Sequence, residues 1–125
     1  MSNQTLAVRH FAKDDLKPAE VLPGASMWAV SLDHTQLTYF EVDPHTRFDT
    51  HQHASEQITY VLKGVLYVEV DGARFAVRKG EAIAIPSNVP HAVFTEDERA
   101  RAVDAWSPVM AQYQAATPKA KSSCC

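Results

Sequence analysis

Between residues 26 and 106 the chain breaks into eight short strand-like runs, each closed by a turn signal before a helix of ordinary length could form. The runs are SMWAVSL (26–32), QLTYFEV (36–42), QITYVLKG (57–64), VLYVEV (65–70), RFAVRKG (74–80), AIAIP (82–86), HAVFT (91–95) and ARAVDAW (100–106). All are rich in β-branched and aromatic residues, which suit a pleated, half-buried surface. Asp71-Gly72 between two of them is the preferred chemistry for a two-residue hairpin turn, and Gly80-Glu81 and Pro86-Ser87-Asn88 add punctuation. Runs this short and this evenly spaced predict an all-β, antiparallel sandwich or barrel. The expected organisation is an irregular lead-in over 1–24, one β-domain over 25–107 and a C-terminal tail over 108–125 that starts with a short helix.

With 125 residues, of which 46% are hydrophobic, the chain can build a single core. A formal net charge of −3 and the lack of an Arg-rich arm give no footprint for a phosphate backbone, so no nucleic-acid partner is expected. No apolar stretch approaches the roughly 20 residues that span a bilayer. The first residues, MSNQTLAVRHF, lack the apolar centre of a signal peptide, so no membrane association and a cytoplasmic location are expected. The only cysteines, Cys124 and Cys125, stand together at the end of a polar stretch, so no disulfide framework is available and stability must come from burial.

Two histidines one residue apart, His51 and His53, stand at the entrance to the run QITYVLKG. In an extended strand, positions 51, 53 and 57 share a face, so His51, His53 and Gln57 can converge while Glu56 points away. His91 follows the Asn88-Val89-Pro90 turn and opens another strand. Two ligands close in sequence with a distant one from a facing strand is how a β-wall builds an open metal site. An H-x-H pair also arises by chance, and His10, His34 and His45 read as loop residues without partners.

The stretches HQHASEQITYVLKG and GEAIAIPSNVPHAVFT resemble the two signature motifs of the cupin superfamily. In the first, H-x-H, three residues, an amide or carboxylate ligand, six residues and glycine fall on His51, His53, Gln57 and Gly64; in the second, glycine, proline, a turn residue and histidine fall on Gly80, Pro86, Asn88 and His91. His45 stands where the first motif opens with glycine, and Asn88 where the second has one. The resemblance implies a small single-domain cupin: a jelly-roll β-barrel, commonly a homodimer, holding one divalent ion per chain (Zn, Ni, Fe or Mn). Three neutral imidazoles and a neutral amide would leave the ion's charge uncompensated, which favours Lewis-acid chemistry and anionic ligands.

The final run, AVDAWSP, is similar to the last strand of small cupins that convert unsaturated uronates in pectin and alginate breakdown. The likeness implies a catalytic Asp104, with Trp106 walling the pocket; Met110 stands where that group has an arginine. Asp104 shares strand parity with Ala102 and Trp106, and the opposite parity would turn Val103 and Ala105 inward instead. Tyr39 and Tyr60 are further candidates for proton transfer. Phe48 is a candidate pocket wall, and Arg47 and Arg101 are candidate counter-ions for an anionic small-molecule substrate. The expected function is a metal-dependent lyase or isomerase acting on a uronate-like sugar or a related enolisable acid. An Fe- or Ni-dependent dioxygenase, a polyketide cyclase and a non-catalytic small-ligand binding module are the alternatives.

Overall fold

The computed structural model describes residues 7–114, and their architecture is two facing antiparallel sheets. The strands are β1 (Ala19–Leu22), β2 (Ala25–Ser31), β3 (Gln36–Val42), β4 (Arg47–His51), β5 (Glu56–Lys63), β6 (Val65–Val70), β7 (Ala73–Arg78), β8 (Ala82–Ile85), β9 (His91–Phe94) and β10 (Ala100–Ser107). A short helix, α1 (Ala111–Gln114), follows. One sheet runs β1-β2-β3-β10-β5-β8 and the other β4-β9-β6-β7. From β3 onward the chain changes sheet at every connection except the β6–β7 hairpin, so residues distant in sequence face one another across the interior.

The strand alternation is the one the sequence predicts. On β5, Gln57, Thr59 and Val61 are buried, whereas Ile58, Tyr60 and Leu62 are exposed. Met27, Phe40, Val61, Leu66, Val68 and Ala102 belong to a continuous apolar core between the sheets. Truncating the fully buried Met27 to alanine would cost about 2–5 kcal/mol through lost burial and a residual cavity. In the β6–β7 turn both Asp71 (φ 48°) and Gly72 (φ 80°) are left-handed, the conformation a two-residue turn of this kind requires. Gly64 (φ 75°) passes so close to the Arg99 carbonyl that a β-carbon there would collide with it.

Two expectations are corrected. The sheets do not close into a barrel: among the described residues no ladder joins the edge strands β1 and β8 of one sheet to β4 and β7 of the other. Closure requires continuous strands that bend across the corners, but here the chain crosses between sheets in turns such as 43–46, 52–55 and 79–81. The lead-in is not wholly irregular either. It holds a 3-10 turn at Lys13–Asp15, and β1 pairs with β2. Sequence reading misses β1 because it is a short segment bracketed by Pro18 and Pro23, and misses β4 because Arg47–His51 is polar and mostly exposed. Cys124 and Cys125 lie outside the described residues.

Candidate metal centre

His51 ends β4 directly opposite His91 on β9, so one antiparallel pair supplies two imidazoles. His53 lies in the crossing from β4 to β5, which swings its ring over the other two. The ring centroids stand 4.4 Å apart for His51 and His91, 5.0 Å for His53 and His91 and 5.5 Å for His51 and His53. The expected reason for their convergence is therefore corrected. His51, His53 and Gln57 do not share one strand face, because β4 stops at His51 and the chain changes sheet before β5.

Each imidazole is oriented by a backbone carbonyl two residues away. His51 Nδ1 donates to Asp49 O at 2.7 Å, His53 Nδ1 to Ser55 O at 2.8 Å and His91 Nδ1 to Val89 O at 2.8 Å. A carbonyl only accepts, so the hydrogen sits on Nδ1 and the Nε2 lone pair is left free. One ring nitrogen from each histidine lies within 4.8 Å of the other two. His53 Nε2 and His91 Nε2 are buried without a hydrogen-bond partner, as is Gln57 Oε1. Buried polar atoms are normally paired, so three unpaired acceptors brought together by these residues fit a divalent cation. Burial pushes the pKa of His91 down, which favours the neutral, ligating form.

Behind the histidines lies a hydrogen-bond network with a defined direction. Asp104 on β10 is paired across strands with Thr38 on β3 and Thr59 on β5. Trp106 Nε1 donates to Thr38 Oγ1 at 2.8 Å, and Gln57 Nε2 donates to Thr59 Oγ1 at 3.0 Å. Each threonine hydroxyl, already accepting, gives its own hydrogen to Asp104: Thr38 to Oδ2 at 3.1 Å and Thr59 to Oδ1. Burial nevertheless raises the Asp104 pKa to about 6, with the hydroxyl donors opposing the rise.

His51, Gln57, Thr59 and Asp104 line a cavity of about 50 Å³, space for a few waters, among apolar walls that include Phe48, Trp106 and Tyr113. Phe48, His51 and Tyr113 also line an open outer groove of about 440 Å³, so these three residues stand where the two spaces meet. The Trp106 ring meets His53 edge-on, with centroids 5.3 Å apart. Tyr113 is carried by α1, which is fastened to the sheet by a reciprocal pair of bonds between the Gln36 side chain and the Met110 backbone. Burial, with the charge of Asp104, pushes the Tyr113 phenol up to about 12.

Other candidates are not brought to this place. Tyr39 stacks on Trp28 and donates to Glu41, and Tyr60 is exposed; both lie on the outer face of the six-stranded sheet, one residue out of phase with the inward Thr38 and Thr59. Arg101 alternates outward between the buried Ala100 and Ala102. Arg47 sits at the outer groove, within 3.5 Å of both Asp49 and Glu69. Sequence reasoning did not single out Thr38, Thr59 or Tyr113. A threonine on the inward parity of two strands was the available signal for the first two, whereas Tyr113 in a four-residue helix carried none.

A β-sandwich that gathers three oriented imidazoles into one cluster, and sets His51, Gln57 and a buried carboxylate on one cavity, defines a class of small all-β proteins with an internal metal-binding cluster. The chain belongs to the cupin family: residues 38–106 match the family described as Cupin domain. No curated protein sequence matches the chain. Among solved structures it is similar to KdgF from Halomonas sp., with 24% identity and a TM-score of 0.75 over 82% of this chain and 96% of that one. It is similar to an RmlC-like cupin from Shewanella frigidimarina, with 19% identity and a TM-score of 0.77 over 85% and 96% of the two chains. It is also similar to the polyketide cyclase RemF from Streptomyces resistomycificus, with 22% identity and a TM-score of 0.71 over 89% and 99%. At these identities the likeness establishes the fold.

Proposed function

We propose that this chain is a metal-dependent lyase or isomerase that moves a proton on a small enolisable carbonyl or carboxylate compound. One observation carries the reading: His51 and Gln57, which belong to the cluster of candidate ligands, line the same cavity as the buried carboxylate of Asp104. His51, His53, His91 and Gln57 would hold a divalent ion, Zn, Ni, Fe or Mn. Such an ion supplies Lewis acidity, which lowers the energy of negative charge developing on a carbonyl oxygen.

Asp104 is the proton carrier of this reading. With a pKa of about 6 it is largely ionised at neutral pH yet basic enough to accept a proton, the range that suits a general base. The threonine hydroxyls hold its two oxygens in place, and Trp106 and Phe48 wall the space beside it. This reading assigns no step to Tyr39, Tyr60 and Arg101, on the outer face, or to Arg47, at the outer groove.

The test is deuterium wash-in at the α-carbon of enolisable keto acids, run under nitrogen with metal-depleted and metal-restored protein. Metal-dependent exchange supports the reading; exchange that ignores metal overturns it, and turnover that requires oxygen replaces it with the dioxygenase. A cyclase, raised by the likeness to RemF and by the aromatic walls, would instead yield a ring-closed product. The same reading includes a homodimer, in which a second copy covers the exposed Leu37, Ile58, Tyr60 and Leu62 on the outer face of the six-stranded sheet; sedimentation of the purified chain as a monomer would remove that part.

A further inference from the structure

The side chains with polar atoms that line the inner cavity are His51, Gln57, Thr59, Asp104, Trp106 and Tyr113. All but one have no hydrogen to spare. His51 Nδ1 gives its hydrogen to Asp49 O, and the Trp106 indole gives its own to Thr38. The Gln57 amide N–H is turned to Thr59, and the same side chain also bonds the Asp104 carboxyl. The Thr59 hydroxyl donates to Asp104, and an ionised carboxylate only accepts. Tyr113 is the exception: among the described residues no acceptor takes its phenolic hydrogen, and both Asp104 oxygens are met by Thr38 and Thr59 instead.

The ring that carries this hydroxyl is fixed. It meets Phe40 edge-on, with centroids 5.7 Å apart and planes at 75°, and lies tilted against Trp106 at 5.5 Å. Its helix is tied to β3 by the reciprocal bonds between Gln36 and Met110. Tyr113 lines both the inner cavity and the outer groove, so a small molecule that enters the cavity from the groove passes this side chain. Burial first, and the nearby charge of Asp104 second, push the phenol up to about 12 against the opposing Gln112 side chain, so the hydroxyl keeps its hydrogen at neutral pH.

On the reading that His51, His53, His91 and Gln57 hold a divalent ion, we infer that Tyr113 is the hydrogen-bond donor of the site, giving its phenolic hydrogen to an oxygen of a bound carboxylate or carbonyl ligand. A ligand oxygen that the ion does not take finds only acceptors around it, the Asp104 carboxylate among them, and acceptors repel it. The Tyr113 hydroxyl offsets that repulsion with a bond to a charged oxygen, which is stronger than a bond between neutral groups. The hydrogen remains on Tyr113 throughout, and Asp104 alone carries the proton taken from carbon.

Calorimetric titration of the metal-loaded wild-type, Tyr113→Phe and Tyr113→Leu proteins with oxalate tests this inference. Oxalate is a small planar dianion with more oxygens than a single ion engages. Tyr113→Phe keeps the ring against Phe40 and Trp106 and removes only the hydroxyl, so metal content should stay the same while oxalate affinity falls about 10-fold or more. If the ring served packing alone, Phe would bind oxalate as tightly as the wild-type and only Leu would be impaired, and that result overturns the inference. Loaded wild-type protein that binds no oxalate overturns it as well, and both results leave the metal reading standing. A chain that takes up no metal, visible by elemental analysis before any titration, overturns that reading and the inference with it.

Discussion

Gln57 donates its amide N–H to the Thr59 hydroxyl at 3.0 Å, two residues along the same strand face, and this bond decides which end of the amide is left for a cation. With Nε2 held, Oε1 is the atom without a partner. Thr59→Val keeps the shape and removes the lock, so metal affinity should fall about 10-fold or more, the usual effect of losing a group that orients a ligand. Competition against a fluorescent chelator reads the change, with circular dichroism confirming that the strands persist. Unaltered affinity would mean that the amide is oriented by something other than Thr59.

Metal content depends on the imidazoles. The purified His51→Ala, His53→Ala double variant should contain far less than the wild-type's expected single equivalent per chain, measured by elemental analysis. Because a ligating imidazole must be neutral, the wild-type should release metal as pH falls below the ordinary histidine range, near 6.5. Retention of full metal at pH 4 would exclude these ligands.

Gln57→Glu exchanges a neutral donor for a charged one. Chelator resistance should rise because the anion attracts the cation more strongly, while turnover should fall because part of the Lewis acidity is cancelled. If both stayed the same, Gln57 would not be a ligand.

Asp104→Asn removes the base while nearly preserving shape. Fold and metal content should survive, and proton exchange should slow by roughly 100-fold or more, the scale of general base catalysis. A cation held by Gln57 would lower the Asp104 carboxyl from its metal-free value of about 6, so the acidic limb of the wild-type rate profile should lie below pH 6. Near-normal exchange by the variant would leave the ion as the sole catalytic element.

The same carboxylate sets a pH dependence of stability in metal-free protein. Its pKa is raised from 3.8 to about 6, so the folded state binds the proton more tightly than the unfolded state. The stabilisation is complete below about pH 4 and is lost as pH rises through 6, amounting to about 3 kcal/mol. His91 acts in the opposite sense: its lowered pKa makes the folded state less stable as pH falls below 6.5. Urea unfolding of the wild-type and Asp104→Asn at pH 4 and pH 7 separates the two, because only the Asp104 contribution disappears in the variant.

Period-two patterning made the strands legible. QLTYFEV and VLYVEV form strands with the expected bounds, and Ala102, Asp104 and Trp106 turn inward together, because the pleat permits only two phases. Asp71-Gly72 forms the hairpin that its backbone preference dictates. The three histidines that come together, His51, His53 and His91, were equally legible, since their side chains carry ligating chemistry.

What the sequence determined by itself is local: strand phase, turn chemistry and the residues able to bind a cation. What only the tertiary structure decided is which side of a sheet faces which. Tyr39 and Tyr60 differ from Thr38 and Thr59 by one residue, yet the pleat sends them to the opposite face, and nothing in either pair says which face meets the second sheet. His51 and His53 converge because the chain changes sheets between them and Gln57, a crossing that no single-strand parity can describe. Tyr113 reaches the cavity because Gln36, 74 residues from Met110, fastens the backbone before α1. Such contacts depend on side chains brought together only when two sheets bury their apolar faces against each other, and local sequence carries no record of that partner.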